Sequence, residues 1–180
     1  SLMLDITGSM SGQKIVDLKA AVTDLIDVVV IDNQIGSSAR IAMAPFSNAV
    51  RLDNNLCRDA TGKDNSGTSS YKGCVVEREG PNRYTDAAPA PGDYVTPLED
   101  KTFFAYCKAK SEIMPLTNKK SQLKQVVADW TAGGATAGHL GTAGAGYLLS
   151  PNWASLFDKA SQPASYDDMK RTIGTSKTPY

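Results

Sequence analysis

The chain has 180 residues, enough for one domain with its own core and too short for two comfortable ones. Nineteen Lys and Arg balance nineteen Asp and Glu, which argues against a nucleic-acid binder or a polybasic membrane patch working through bulk charge. Apolar content of 41% is too high for a disordered tail, and no apolar run approaches the roughly 20 residues that span a bilayer.

The first residues, Leu2 to Ile6, read as the end of a buried strand running into a Thr-Gly-Ser turn. No basic leader or cleavage site precedes them, and the chain stops at Lys177-Thr178-Pro179-Tyr180 without a final element; the expectation is a piece of a longer protein. Ile15, Leu18, Val22, Leu25 and Val29 recur at three- and four-residue steps, which predicts a helix with one apolar stripe and Ser11 as its N-cap. Gly36-Ser37-Ser38 breaks that pattern. Residues 40 to 46 read as a second strand, with Val50 to Leu52 as a short edge strand beside it. Strand, helix, strand at this spacing opens an α/β domain with a central sheet.

From Asp53 to about Pro115 no period of 3.6 or 2 persists, and stretches such as Asp64-Asn-Ser-Gly67 and Ala87-Ala-Pro-Ala-Pro-Gly92 punctuate the chain. A structureless connection of this length is uncommon in a compact domain, so residues 54–116 are read as an elaborated insertion between a first part, 1–53, and a second, 117–180. Within it Glu77-Arg78-Glu79 reads as solvated surface. All three cysteines, Cys57, Cys74 and Cys107, fall here without CxxC spacing, against a structural zinc site. One disulfide plus a leftover thiol and three buried thiols both stay open; Cys74 and Cys107 are the candidate pair, though spacing does not fix it.

Helical spacing returns with Leu123, Val126, Val127 and Trp130, capped by Thr117 or Asn118. Gly133-Gly134-Ala135-Thr136 then makes a tight turn before a helix over 137–149. That helix is made mostly of small residues, as suits close approach to a sheet or another helix. The two tryptophans read as core, and residues 166–171 as one or two further helical turns.

The residues that carry chemistry are Asp5, Thr7 and Ser9. They stand where a strand gives way to a helix, at the carboxyl edge of the sheet where ligands of open α/β folds bind. Their alternation turns one carboxylate and two hydroxyls toward a common point. These are hard oxygen donors suited to Mg²⁺, Mn²⁺ or Ca²⁺ rather than zinc or copper. Thr136, also before a helix, brings a third hydroxyl or serves as an N-cap. The bland alternative for Asp5 and Ser9 is a turn whose side chains merely bond backbone amides. His139, three residues after Thr136, reads either as a donor behind the metal loop or as a packed or exposed histidine. No Gly-x-Ser-x-Gly elbow and no Gly-Lys-Ser/Thr phosphate loop occurs.

Asp-x-Thr-Gly-Ser after an apolar strand, followed later by Gly-Gly-x-Thr before a helix, resembles the metal-ion-dependent adhesion site of von Willebrand factor type A domains. Thr7 stands where those domains usually have serine. The similarity extends to the TadG-like proteins of bacterial tight-adherence (Flp) pilus systems. It is carried by Leu4-Asp-Ile-Thr-Gly-Ser-Met-Ser-Gly12, Cys74-Val-Val-Glu-Arg78, Tyr84-Thr-Asp-Ala-Ala-Pro89, Thr136-Ala-Gly-His-Leu-Gly-Thr142 and Leu148-Leu-Ser-Pro-Asn-Trp153. The resemblance implies a Rossmann-like α/β sheet with flanking helices, truncated at its C-terminal end. It also implies a divalent cation, Mg²⁺ foremost, held by Asp5, Thr7, Ser9 and Thr136 and completed by an acidic residue of a protein partner, a pilus or envelope component. The implied role is adhesion and not catalysis, in the periplasm or at the bacterial surface, in a parent protein anchored in the membrane. Such domains usually supply a further aspartate from an Asp-Gly turn. Asp167 and Asp168 sit in a predicted helix with no following glycine, so the last ligand is expected outside this stretch.

Two rival functions are set beside this one. The first is a structural scaffold with a vestigial metal site and contacts made by the insertion. The second is a metal-dependent hydrolase, whose general base would have to be His139 or a carboxylate of the insertion.

Overall fold

The computed structural model describes residues 1–31, 39–63, 73–98, 107 and 110–169. The Gly36–Ser38 break, the Asp64–Gly67 turn and the chain beyond 169 lie outside the described residues. Strand β1 (Leu2–Asp5) leads through a 3₁₀ turn (Gly8–Met10) into α1 (Gln13–Val29), and the chain returns in β2 (Ile41–Phe46). β2 lies parallel to β1, with Leu2 opposite Met43 and Asp5 opposite Phe46. β3 (Val50–Arg51) folds back antiparallel from the Phe46 end of β2, and α2 (Asn54–Thr61) follows. β4 (Cys74–Arg78) pairs with β3, and β5 (Val95–Pro97) pairs with β4, both antiparallel. β6 (Met114–Thr117) runs antiparallel to β2 at Ile41 and Met43. Helices α3 (Lys120–Asp129), α4 (Gly138–Tyr147) and α5 (Tyr166–Met169), with 3₁₀ turns at Pro151–Leu156 and Lys159–Ser161, complete the described chain.

The expected α/β architecture is present as an open, mixed, six-stranded sheet with helices. The 54–116 segment is built into that sheet: it supplies α2, β4, β5 and most of β6. Strands of three to five residues are too short to show a period, which is why the segment reads as irregular. For the same reason Val50–Arg51, expected as an edge strand, lies between β2 and β4.

β2 is buried along its whole length and alternates between the two faces of the sheet. Ile41 and Met43 join Leu4, Ile6, Val22, Ile26, Leu123, Val127 and Trp130 in one core layer beneath α1 and α3. Ala42, Ala44 and Phe46 join Val50, Leu140, Leu148 and Trp153 on the other, beneath α4. Leu25, predicted on the apolar stripe of α1, is 39% exposed; Ile26 takes the buried position with 0% exposure. Phe46 gives its carbonyl to the Ile6 amide on the β1 side. Alternation then turns the nitrogen of Pro45 the other way, where pairing to β6 has ended at Met43 and pairing to β3 begins at Phe46. The missing N–H of a central-strand proline thus falls at a seam in the ladder.

The small residues of α4 are there for proximity. A Cβ at Gly141 would come 2.4 Å from Cδ1 and 2.7 Å from Cγ of Phe46, a ring that is 2% exposed. At Gly146, on the same helix, a Cβ would meet nothing within 4 Å. The two positions should therefore respond with opposite signs in urea denaturation. Gly146→Ala is expected to gain up to about 1 kcal/mol from helix propensity. Gly141→Ala is expected to lose stability, because overpacking costs about 1–3 kcal/mol against the same gain.

Candidate functional site

Three loops meet at the end of the parallel β1–β2 pair. The first follows β1. Asp5 accepts the Thr7 amide through Oδ1 at 2.8 Å, and the hydroxyl oxygens of Thr7 and Ser9 lie 3.1 Å apart. Thr7 is fully buried, Asp5 half-buried and Ser9 exposed. The second loop, 131–137, lies against the first: Gly133 donates to the Ile6 carbonyl at 2.9 Å, and Gly8 donates to the Gly134 carbonyl at 2.8 Å. A Cβ at Gly8 would come 3.0 Å from that same Gly134 oxygen, so a side chain there would press on the junction. The third loop, Ser47–Ala49, leaves β2. The Asn48 side-chain oxygen accepts the Ala135 amide at 2.6 Å, and the Ser47 carbonyl accepts the Ala137 amide at 2.9 Å.

All three predicted caps move, with Lys119 at the N-cap of α3 in place of Thr117 or Asn118. Gly12, with φ of 77°, is the N-cap of α1; Ser11 instead closes the 3₁₀ turn by donating its amide to Gly8. Ala137 is the N-cap of α4, so Thr136 lies one residue outside the helix on the exposed rim of the second loop. Asp5, Thr7, Ser9 and Thr136 are thus carried by two loops joined to each other by main-chain bonds. His139 lies in the first turn of α4, where its Nε2 meets Glu77 Oε1 of β4 at 2.6 Å, with both side chains more than 60% exposed. The hydrogen bond from His139 holds the Glu77 carboxyl below its ordinary range.

The donor set fits a hard cation. One carboxylate and neighbouring hydroxyls are the chemistry Mg²⁺ or Mn²⁺ takes. Adjacent ligands of an octahedral ion with bonds of about 2.1 Å stand about 3 Å apart, the separation of Thr7 and Ser9. The turn alternative is also visible, since Asp5 Oδ1 accepts the Thr7 amide and the 3.1 Å between the Thr7 and Ser9 hydroxyls is itself a hydrogen bond. Among the described residues no three His, Cys, Asp or Glu side chains gather around a point, so this site is built chiefly of hydroxyls. Asp167 and Asp168 lie in α5, where Asp168 is engaged by Ser165.

A second concave region lies beneath α4. A cavity of about 1210 Å³ is lined by Leu140, Leu148, Trp153 and Phe157, with His139 and Tyr166 among its polar walls. Trp153 stacks on Tyr147 at 4.1 Å between ring centres, and its buried indole N–H has no partner among the described residues. Asp86 accepts hydrogen bonds from Ser150, at 2.6 Å, and from Tyr166, which together hold its carboxyl below the ordinary range; the bond to Asp86 in turn raises the Tyr166 phenol.

Arg78 corrects the sequence reading of a solvated charge run. Its side chain is 1% exposed. It donates to the carbonyls of Ala87 (2.5 Å), Ala88 (3.0 Å) and Asp93 (2.7 Å) and pairs with the Asp93 carboxylate at 3.1 Å, closing the loop between β4 and β5. Of the cysteine alternatives, the structure shows Cys74 bonded to Cys107, with Cys57 a buried thiol outside the disulfide. Nothing in the sequence singles out Ser47 and Asn48, although they follow β2 as Ile6 and Thr7 follow β1. Among the described residues no helix is long and apolar enough to cross a membrane.

Comparison of the chain with protein-family models, with curated proteins and with solved structures found no match.

Proposed function

We propose that this chain is a von Willebrand A-type domain of a TadG-like tight-adherence pilus protein, and that it binds a protein partner through a divalent cation. Asp5, Thr7, Ser9 and Thr136 would hold the ion, Mg²⁺ in the first instance. The ion supplies an electrophilic centre for a carboxylate of the partner. The observation that carries this reading is the junction of the two loops, Gly133 to Ile6 and Gly8 to Gly134, which brings the Asp-x-Thr-x-Ser turn and the Gly-Gly-x-Thr turn together across 127 and 126 residues of sequence.

The chain's own residues do the positioning. The Thr7 amide fixes the Asp5 carboxylate, Thr7 is buried beside it, and Ser9, within hydrogen-bond distance of the Thr7 hydroxyl, is exposed at the surface. Asp5 is the one charged donor among these residues, so one of the cation's two charges would stay uncompensated and an incoming carboxylate is a favoured ligand. Coordination by a partner's acidic residue is binding and involves no turnover. The parent protein is placed, on the same resemblance, in the bacterial envelope, where an oxidised Cys74–Cys107 pair is at home. Thr7→Val keeps shape and removes the donor oxygen. Electron paramagnetic resonance of Mn²⁺ should show bound ion with the unmodified chain and a loss of at least about tenfold in affinity with Thr7→Val. Equal affinity in the two proteins would remove Thr7 from the site.

A further inference from the structure

We infer that Asn48 is the positioning residue of the proposed metal loop, setting where Thr136 stands; this rests on the metal-binding reading above. Thr136 has no regular element to hold it, since α4 begins at Gly138 with Ala137 as a cap that makes no side-chain bond. The amides on either side of it are held instead by the turn after β2. Asn48 Oδ1 takes the Ala135 N–H at 2.6 Å, and the Ser47 carbonyl takes the Ala137 N–H at 2.9 Å. Of these two bonds, the Asn48 bond alone comes from a side chain, so it is the one that sequence can alter without touching the backbone. Asn48 is itself anchored by the strands around it, between buried Ser47 and buried Ala49, with Phe46 and Val50 paired across the turn. The loop that carries Thr136 is therefore referenced to β2, while its first residues, Gly133 and Gly134, are referenced to the chain after β1. A threonine fixed between these two references keeps one position relative to Asp5, Thr7 and Ser9. Outer residues that orient ligands in this way typically cost about 10- to 100-fold in metal affinity when removed.

The test compares the unmodified chain with Asn48→Ala and Asn48→Asp, reading amide hydrogen exchange at Ala135 and Mn²⁺ affinity. In Asn48→Ala the Ala135 amide should exchange at least about tenfold faster, and Mn²⁺ should bind about 10-fold or more weakly, with the Tm of the core little changed. Asn48→Asp keeps the acceptor oxygen in place and should restore slow exchange at Ala135. Unchanged exchange in Asn48→Ala overturns the positioning role, as does unchanged Mn²⁺ affinity in a chain that binds Mn²⁺. Fast exchange with no Mn²⁺ binding by the unmodified chain overturns the metal reading instead, leaving Asn48 as an organiser of the loop alone. If Asn48→Ala does not fold, a fast-exchanging Ala135 amide in a folded Asn48→Asp protein overturns the proposal.

Discussion

Replacing Arg78 with methionine is expected to cost about 3–5 kcal/mol in urea denaturation, the penalty for breaking a buried ion pair by removing one partner. The guanidinium is the hub of the loop between β4 and β5: it binds three carbonyls and the Asp93 carboxylate from a position with 1% side-chain exposure. Without it those carbonyls lose their donors. Asp93 is left charged, with Asn82 as a donor and with its Oδ1 buried and already lacking a hydrogen-bond partner among the described residues. Arg78→Lys should recover little, because one ammonium cannot reproduce a planar fork that serves several acceptors at once. Asp93→Asn in the Arg78→Met background should recover part of the loss by removing the stranded charge. A cost below about 1 kcal/mol for Arg78→Met would mean that the loop does not depend on this hub.

The second large effect is expected from the disulfide. Cys74 and Cys107 are 33 residues apart, and closing a loop of that length removes about 3.7 kcal/mol of unfolded-chain freedom on the chain-entropy account. Cys74 sits in β4 and is fully buried with Ala49 beside it, so the bond also ties the segment after β5 to the sheet. Cys107→Ser should lower stability by about that amount, with the same change on reduction of the unmodified chain. Cys57, buried in α2 and outside the disulfide, should survive Cys57→Ala with a far smaller loss. Equal stability of the oxidised and reduced chains would contradict the bond's role.

How far the sequence could be read follows from the length and locality of each signal. α1 and β2 are legible because a 17-residue helix and a six-residue apolar strand each repeat their pattern several times, and the four-residue β1 is legible as an apolar run leading into a Thr-Gly-Ser turn. The closeness of α4 to the sheet was legible from its glycines, and Phe46 under Gly141 is the physical reason. Leu25 and Ile26 were exchanged because both satisfy a three-to-four spacing, and the angle at which α1 meets the sheet decides between them. β4 and β5 were hidden by brevity, and Arg78 by its glutamate neighbours. Its burial depends on a loop wrapping around it, which no local pattern encodes. The Asp5-Thr7-Ser9 turn was readable as a donor set. Its contact with the 133–136 loop is long-range, and the part played by Asn48 comes from that contact.

Calorimetric titration of this chain with Mn²⁺ and with Mg²⁺, beside Asp5→Ala, tests the metal reading most directly. The account predicts heat of binding to a single site in the unmodified chain and none in Asp5→Ala, with both proteins folded to the same extent. Equal binding by the two, or no binding by a folded unmodified chain, would contradict it.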